Sequence, residues 1–257
     1  MESVSIIMPA YNVEDYIEES IRSVIEQTYS NWELIIIDDR STDQTISKVE
    51  PFLADNRIKL LVNECNLGGA GTRNRGIDMA SGRFIAFLDS DDLWSPEKLE
   101  QQVDFMLSNG YQFCFTGYSN ISETGKYLNE VECPKKVSFS ELLKSNYIGC
   151  LTVMYDTATL GKQSMPLYRK RQDYALWLKL LKLTGHAYGL QSSLAQYRIR
   201  GGSLSKSKVD AIKFYWQILR DVGKCSVAKS SYNLLCYLSI VCVKKFSPSI
   251  YNNYFLK

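Results

Sequence analysis

The stretch Phe84-Ile85-Ala86-Phe87-Leu88-Asp89-Ser90-Asp91-Asp92 decides how this chain is read. Its apolar first half, bounded by charge, predicts a strand buried on both faces. Three carboxylates within four residues then stand where that strand leaves the core. Like charges so close raise one another's energy unless a cation or several hydrogen-bond donors answer them. A divalent metal answers them well, because magnesium and manganese prefer hard oxygen ligands and phosphate oxygens can fill the open positions. The competing reading is a helix start, with Asp92 capping a helix that begins near Pro96.

Working outward, Ser3 to Met8 predicts a first buried strand, broken by Pro9-Ala10-Tyr11-Asn12. Asn12 can cap a helix whose apolar positions are Ile17, Ile21, Val24 and Ile25. Glu33 to Ile37 is a second strand ending at Asp38-Asp39, and Ser41-Thr42-Asp43 opens another helix. Ile58 to Val62 is a third. Asn63 to Gly68 leads into Gly69-Ala70-Gly71-Thr72-Arg73-Asn74-Arg75-Gly76 and a helix through Ala80, and after the fourth strand a helix runs from about Pro96 to Leu107. Strands alternating with helices predict an α/β fold, a Rossmann-like, mostly parallel sheet flanked by helices.

In such sheets ligands bind outside the carboxyl ends of the strands. Tyr11 and Asn12, Asp38 and Asp39, and Asp89 to Asp92 are therefore expected in one crevice, with Arg73 and Arg75 nearby. Those groups suit a nucleoside diphosphate. Tyr11 can stack on a base, a carboxylate of Asp38 or Asp39 can accept from a base N–H, Asp89 can meet ribose hydroxyls, and Asp91 can hold a metal on the diphosphate. Each has a structural alternative: Tyr11 in the core, Asp38 in a turn, Arg75 on a solvated helix face. Gly69-Ala70-Gly71 is not a dinucleotide fingerprint, since Asn74 stands where the third glycine belongs and the segment does not tightly follow the first strand.

Beyond Ser108 the rhythm loosens. Phe113 to Tyr118 and Leu151 to Tyr155 are candidate strands in turn-rich sequence. A helix begins at Tyr174 with Leu176, Leu180 and Leu183 expected inward, and Asp173 stands at its N-terminal end. The helix dipole and the flanking arginines favour an ionised carboxylate there, available as a base, unless Asp173 is an ordinary cap. Tyr197 to Lys206, with Arg198 and Ser203, reads as a basic, hydroxyl-rich loop able to close over phosphates, or as a plain surface connection. From Ser207 the chain reads as two helices. The apolar run Leu234 to Val243 ends in Lys244-Lys245 and is shorter than the roughly 20 residues that span a bilayer. It either lies at a membrane interface or docks on the protein.

The 257 residues are 45% hydrophobic, enough to bury a core. Net charge is only +2, but residues 1–110 hold 9 Lys+Arg against 20 Asp+Glu (net −11) and residues 111–257 hold 21 against 8 (net +13). That split suggests a metal-using acidic part and a basic part facing phosphates or an anionic membrane; two halves that simply attract each other are the alternative. Seven cysteines without a Cys-x-x-Cys pair argue against a disulfide framework or zinc site and fit a reducing cytoplasm. The N-terminus enters a strand directly, so no signal peptide is expected. A single histidine leaves little room for histidine-based catalysis.

Taken together, Ser5-Ile6-Ile7-Met8-Pro9-Ala10-Tyr11-Asn12, Ile37-Asp38-Asp39-Arg40-Ser41-Thr42-Asp43, Asn74-Arg75-Gly76 and Phe87-Leu88-Asp89-Ser90-Asp91-Asp92 resemble, in order and spacing, the family-2 glycosyltransferases. The resemblance covers roughly residues 3 to 205 and implies the A-type glycosyltransferase fold with C-terminal helices. It implies a nucleotide-sugar-binding half (1–108), an acceptor-binding and catalytic half of the same domain (109–206), and a helical extension (207–257) able to touch membrane. It further implies a UDP-sugar donor, UDP-glucose or UDP-galactose, held by Pro9, Tyr11, Asn12, Asp39, Arg75, Asp89, Ser90, Arg198 and Ser203. Asp91 would be the ligand of Mn2+ or Mg2+, and Asp173 the base of an inverting transfer. Many members carry two acids where this chain has Gln172-Asp173, and the Gln-x-x-Arg-Trp motif of processive synthases is missing, which implies single additions. The implied acceptor is a lipid-linked saccharide such as an undecaprenyl diphosphate sugar, met at the inner face of a bacterial cytoplasmic membrane during O-antigen, lipopolysaccharide or capsule synthesis, with no nucleic-acid partner. A nucleotidyltransferase and a non-catalytic nucleotide-sugar-binding module are the competing functions.

Overall fold

The computed structural model describes residues 2–201 and 208–247. The chain runs β1 (Val4–Ala10), α1 (Ile17–Ile25), β2 (Trp32–Asp38), α2 (Thr45–Val49), β3 (Ile58–Val62), α3 (Gly68–Met79), β4 (Phe84–Phe87), β5 (Leu93–Trp94) and α4 (Lys98–Asn109). It continues through β6 (Phe113–Ile121), β7 (Tyr127–Val131), β8 (Lys136–Ser138), α5 (Phe139–Leu142), β9 (Met154–Asp156), α6 (Thr157–Leu160), α7 (Gln172–Thr184) and β10 (His186–Arg198), and ends with α8 (Lys208–Asp221) and α9 (Val227–Phe246).

All ten strands share one sheet, in the order β3-β2-β1-β4-β9-β6-β10-β5, with β7 added to β6 and β8 to β10. The first four strands pair in parallel, as the β–α alternation predicts. Antiparallel pairing enters with β9, which pairs antiparallel to both β4 and β6. The sheet is thus parallel where helices separate its strands and mixed where turns do. Its two faces carry separate cores. Ile7, Ile35, Ile37, Ile85 and Phe87 face α3 and α7 on one side, while Ile6, Met8, Leu34, Ile36 and Phe84 face α1 and α4 on the other. That alternation is the period of two that a strand imposes on its side chains.

Several local expectations shift. Asn12 does not cap α1, whose N-cap is Tyr16. Asn12 instead adopts a left-handed backbone (φ 51°), and its Oδ1 accepts the Thr42 N–H at 2.8 Å. Asp92 caps nothing, and α4 starts two residues beyond Pro96. The stretch Leu151 to Tyr155 divides into a 3-10 turn (Cys150–Thr152) and β9. Leu183 is 57% exposed. The buried stripe of α7 runs through Tyr174, Trp177, Leu178 and Leu181, a helical i, i+3, i+4, i+7 spacing that leaves Leu183 on the outer side.

Candidate active site

The site is assembled at the carboxyl ends of β1, β2 and β4. Pro9 lies beyond Ile7, the last β1 residue that β4 pairs, so its missing N–H interrupts no ladder on that side. Tyr11 then emerges half exposed. Asn12 ties the loop after β1 to the loop after β2, since its N–H donates to Ser41 Oγ at 3.0 Å and its side chain accepts from Thr42. At the end of β2, Asp38 is fully buried and accepts the Ser41 N–H at 2.9 Å, while its Oδ2 has no hydrogen-bond donor among the described residues. Asp39 is nearly buried. Its Oδ1 accepts Asn63 Nδ2 at 2.7 Å and the Leu67 N–H at 2.8 Å, and its Oδ2 accepts the Gly68 N–H at 2.9 Å. A carboxylate has about four acceptor positions, so Oδ2 retains one for a ligand. Arg75 stands behind this pair and donates to Val62 O at 2.7 Å and Asn63 Oδ1 at 2.6 Å.

The acid cluster after β4 is answered by three arginines. Arg73, reaching across from α3, pairs with Asp89, while burial opposes the Arg73 charge and Asp89 more than offsets it. Arg200 Nε lies 2.7 Å from Asp91 Oδ2. Arg198 is buried, and each of its nitrogens is engaged: its N–H on Asp92 Oδ1 at 2.8 Å, Nε on Asp91 O at 2.8 Å, Nη1 on Glu123 O at 3.0 Å and Nη2 on Glu19 at 2.6 Å. Arg198 is therefore the clasp that gives the acid loop its shape, and Arg200 is the arginine that faces the carboxylate. Burial and the neighbouring Asp89 push the Asp91 carboxyl above the usual carboxylate range, against the pull of Arg200. Buried Asp92 is raised further, by burial and then by Asp91 and Asp89.

Asp173 arrives from α7. The preceding Arg171 sits in the left-handed region (φ 61°), an uncommon conformation for a non-glycine residue that turns the chain into the helix. Its guanidinium is held from outside: Nη2 donates to Tyr237 Oη at 2.6 Å and lies over the rings of Tyr215 and Tyr237. On the other side of Asp173, Tyr174 stacks on Tyr215 at 5.6 Å and Tyr215 on Tyr237 at 4.5 Å. The hydroxyl of Tyr174 donates to Leu142 O at 3.0 Å and that of Tyr215 to Leu143 O. Helices α8 and α9 thus pack around the entry into α7, on either side of Asp173. Burial raises the Asp173 carboxyl, and the Tyr174 N–H, Arg73 and Arg171 draw it back down while Asp89 adds to the rise. Arg73 thus pairs with Asp89 and also acts on the charge of Asp173. Gly69 makes room for it, because a Cβ there would stand 2.9 Å from Arg73 Nη1 and 3.1 Å from Gln172 Nε2. Cys150 adjoins the same cluster; burial raises its thiol well above the ordinary range, with Arg73 opposing and Asp89 and Asp173 adding.

The structure therefore places Pro9, Tyr11 and Asn12 at the carboxyl end of β1, Asp39 after β2, Asp89, Ser90 and Asp91 after β4 and Asp173 in the first turn of α7, binds Arg75 to Val62 and Asn63 and Arg198 to the acid loop, and leaves Ser203 outside the described residues. Arg73 and Arg200 are the arginines that pair with the side chains of Asp89 and Asp91. A glycine four residues before Arg73 was the available signal, marking the helix face where a long side chain lies down. Among the described residues no three His, Cys, Asp or Glu side chains gather as metal ligands. The oxygen donors of Asp89 and Asp91, which raise each other's energy, still fit a magnesium-type ion that takes one or two protein carboxylates and completes its shell with water and substrate phosphates. The shallow depression of about 650 Å3 lined by Glu14, Asp15, Glu18, Glu19, Arg22 and Lys48 carries four carboxylates against two cations and holds none of the expected site residues.

With this geometry in place, the sequence model described as Glycosyl transferase family 2 matches residues 5–174. The chain belongs to glycosyl transferase family 2. Among family members, it is 44% identical over 246 residues to the Escherichia coli UDP-Glc:alpha-D-GlcNAc-diphosphoundecaprenol beta-1,3-glucosyltransferase WfgD, covering 94% of each chain. It is 41% identical over 236 residues to the putative teichuronic acid biosynthesis glycosyltransferase TuaG of Bacillus subtilis, covering 91% of this chain and 94% of that one. The fold matches that of S. aureus TarS 1-349 in complex with UDP-GlcNAc, with a TM-score of 0.73 at 22% identity over 99% of this chain and 76% of the other. The protein is a glycosyltransferase of the A-type fold.

Proposed function

We propose that this family 2 enzyme transfers one hexose from a UDP-sugar, UDP-glucose before UDP-galactose, to a hydroxyl of a lipid-diphosphate-linked saccharide, with inversion, in the synthesis of a bacterial surface polysaccharide. The observation that carries the reading is Arg73, which joins Asp89 of the donor side to Asp173 of the acceptor side in one cluster. The printed activity of the 44% identical relative supports glucose as the sugar and a GlcNAc diphosphate lipid as the acceptor. In this reading Tyr11 stacks on uracil, Asp39 accepts its N–H, Asp89 meets the ribose and Asp91 holds Mn2+ or Mg2+. When bound, the metal neutralises charge developing on the leaving diphosphate. Asp173 accepts the proton of the acceptor hydroxyl as that oxygen attacks the anomeric carbon from the face opposite UDP. Arg200 stands beside the acid pair and supplies positive charge next to the diphosphate.

We place the enzyme on the inner face of the membrane, where its lipid-linked acceptor resides. No helix among the described residues is long and apolar enough to cross a membrane. The outer side of α9 nonetheless exposes Leu235, Leu238, Val241 and Phe246, which suits peripheral contact. The deciding experiment measures UDP release from UDP-glucose, UDP-galactose and their N-acetyl forms with a synthetic GlcNAc-diphospho-lipid, with and without Mn2+. Glucose transfer dependent on both acceptor and metal is expected. Absence of UDP release from every donor, or pyrophosphate release from UTP and a sugar phosphate, would overturn the assignment.

A further inference from the structure

The carboxylate cluster has a second neighbour. A cavity of about 120 Å3 opens between the end of β6, the segment after β7, the loop 146–149 and the last turn of α9. Its walls include the rings of Tyr118 and Tyr147, the side chains of Asn146, Glu132 and Lys244, and the backbone of Gly149. Tyr147 packs on Ile240 and Val243, so α9 forms one wall of the cavity. A Cβ at Gly149 would lie 3.5 Å from Tyr118 Cε1, which places that glycine against the aromatic wall. The next residue, Cys150, is the thiol that adjoins Arg73, Asp89 and Asp173. One peptide bond therefore leads from the wall of this cavity to a thiol that feels the charges of Arg73, Asp89 and Asp173.

Its size and lining restrict the occupant. Whole small-molecule sites run to roughly 300–1,000 Å3, so the cavity accommodates a single sugar ring or a substituent and not a nucleotide. A pyranose presents a face of C–H groups and a rim of hydroxyls. Aromatic rings suit the first, and a carboxylate, an amide and an ammonium group suit the second, as acceptor, acceptor-donor and donor. None of the donor-binding residues lines the cavity. Lys244 follows buried Ile240 by one helical turn, on the face of α9 that looks into the cavity, and adds positive charge there.

We propose that this cavity is the acceptor subsite: it holds the saccharide unit that receives the hexose, with Tyr118 and Tyr147 against the ring, Asn146 and Glu132 on its hydroxyls, and Lys244 toward the diphosphate that joins it to lipid. The proposal rests on the glycosyltransferase reading above and adds the residues that choose the acceptor.

The test is initial-rate kinetics on the full chain with UDP-glucose and two acceptors, a GlcNAc-diphospho-lipid and the same saccharide on an uncharged benzyl group. Tyr147→Ala and Asn146→Ala are expected to raise KM for both acceptors about tenfold or more, with the Kd of UDP-glucose unchanged by calorimetry. Lys244→Ala, at an exposed position that does not endanger folding, is expected to raise KM only for the diphosphate acceptor. Unchanged acceptor KM in Asn146→Ala and Lys244→Ala, or an equal loss of UDP-glucose binding, would overturn the subsite. Wild-type enzyme without turnover on any nucleotide sugar would instead overturn the transferase reading.

Discussion

At the scale of single residues, the proposed chemistry rests on how three charges, Asp89, Arg73 and Asp173, are balanced. Asp173→Asn keeps the shape of the side chain and removes its basicity, so turnover should fall by about 10²–10⁴-fold while UDP-sugar binding by calorimetry stays near wild type. Undiminished turnover would remove Asp173 from the mechanism. The base works only when ionised, and its carboxyl is raised above the ordinary range. The rate should therefore climb with pH through that raised pKa and level off above it. Arg73 pulls this pKa down, so Arg73→Gln should displace the acid limb of the kcat profile to higher pH; an unmoved limb would separate the two residues. Asp89, Asp91 and Asp173 were legible in the sequence because strand ends and helix starts are local features. That Arg73 pairs with Asp89 while Arg75, two residues on, meets Val62 and Asn63 was not. Two residues apart on a helix point to different faces, and which face looks at Asp89 is fixed only when α3 packs on the sheet.

At the scale of elements, α4 and α7 show what local pattern reveals and what it conceals. Lys98 on α4 is fully buried, which no periodicity announces for a lysine, with Nζ on Gln102 and 4.0 Å from the Trp94 ring centroid. Burial lowers its pKa to about 7. The unfolded chain holds that proton up to about pH 10.4. Between those values the unfolded state binds more protons, so stability should rise with pH from about 7 toward 10 and be unaffected by this group on either side. Lys98→Met should abolish that slope and stabilise the protein at pH 7 by about 1–3 kcal/mol in denaturant unfolding; a destabilised variant would mean that the ammonium is better satisfied than Gln102 and Trp94 alone provide. The entry into α7 depends on partners some 65 residues later in the chain. Tyr237→Phe keeps the stacked rings and removes the hydroxyl that Arg171 Nη2 meets at 2.6 Å. Turnover should drop, by up to about 10²-fold, with donor Kd unchanged, because a small misplacement of the base is enough to slow transfer. Parallel strands and their helices were readable from periodicity; the expected caps were not found, since the N-caps of α1, α2, α3 and α4 are Tyr16, Gln44, Leu67 and Glu97 and none makes a side-chain cap bond. The antiparallel return through β9 was not readable, since its short stretch follows a 3-10 turn and its pairing partners are distant in sequence.

At the scale of the whole molecule, the uneven charge and the C-terminal helices combine. Residues 111–257 carry 21 Lys+Arg against 8 Asp+Glu, and α9 within that part exposes Leu235 (64%) and Phe246 (75%). An apolar helix face on a basic region favours an anionic lipid surface, with each lysine or arginine near it contributing about 1 kcal/mol. The purified protein should co-sediment with vesicles containing phosphatidylglycerol and much less with phosphatidylcholine alone. Raising salt from about 0.1 M to 1 M shortens the screening length from about 10 Å to about 3 Å, so the electrostatic share should fade while the apolar share persists. Leu235→Glu with Leu238→Glu puts two carboxylates on the outer face of α9, away from Tyr237 and its contact with Arg171. This double variant should lose vesicle binding at every salt concentration while still turning over a detergent-dispersed acceptor. Vesicle binding that survives the double substitution would move the membrane contact off α9, and turnover lost along with binding would mean that this helix acts through the base and not through lipid.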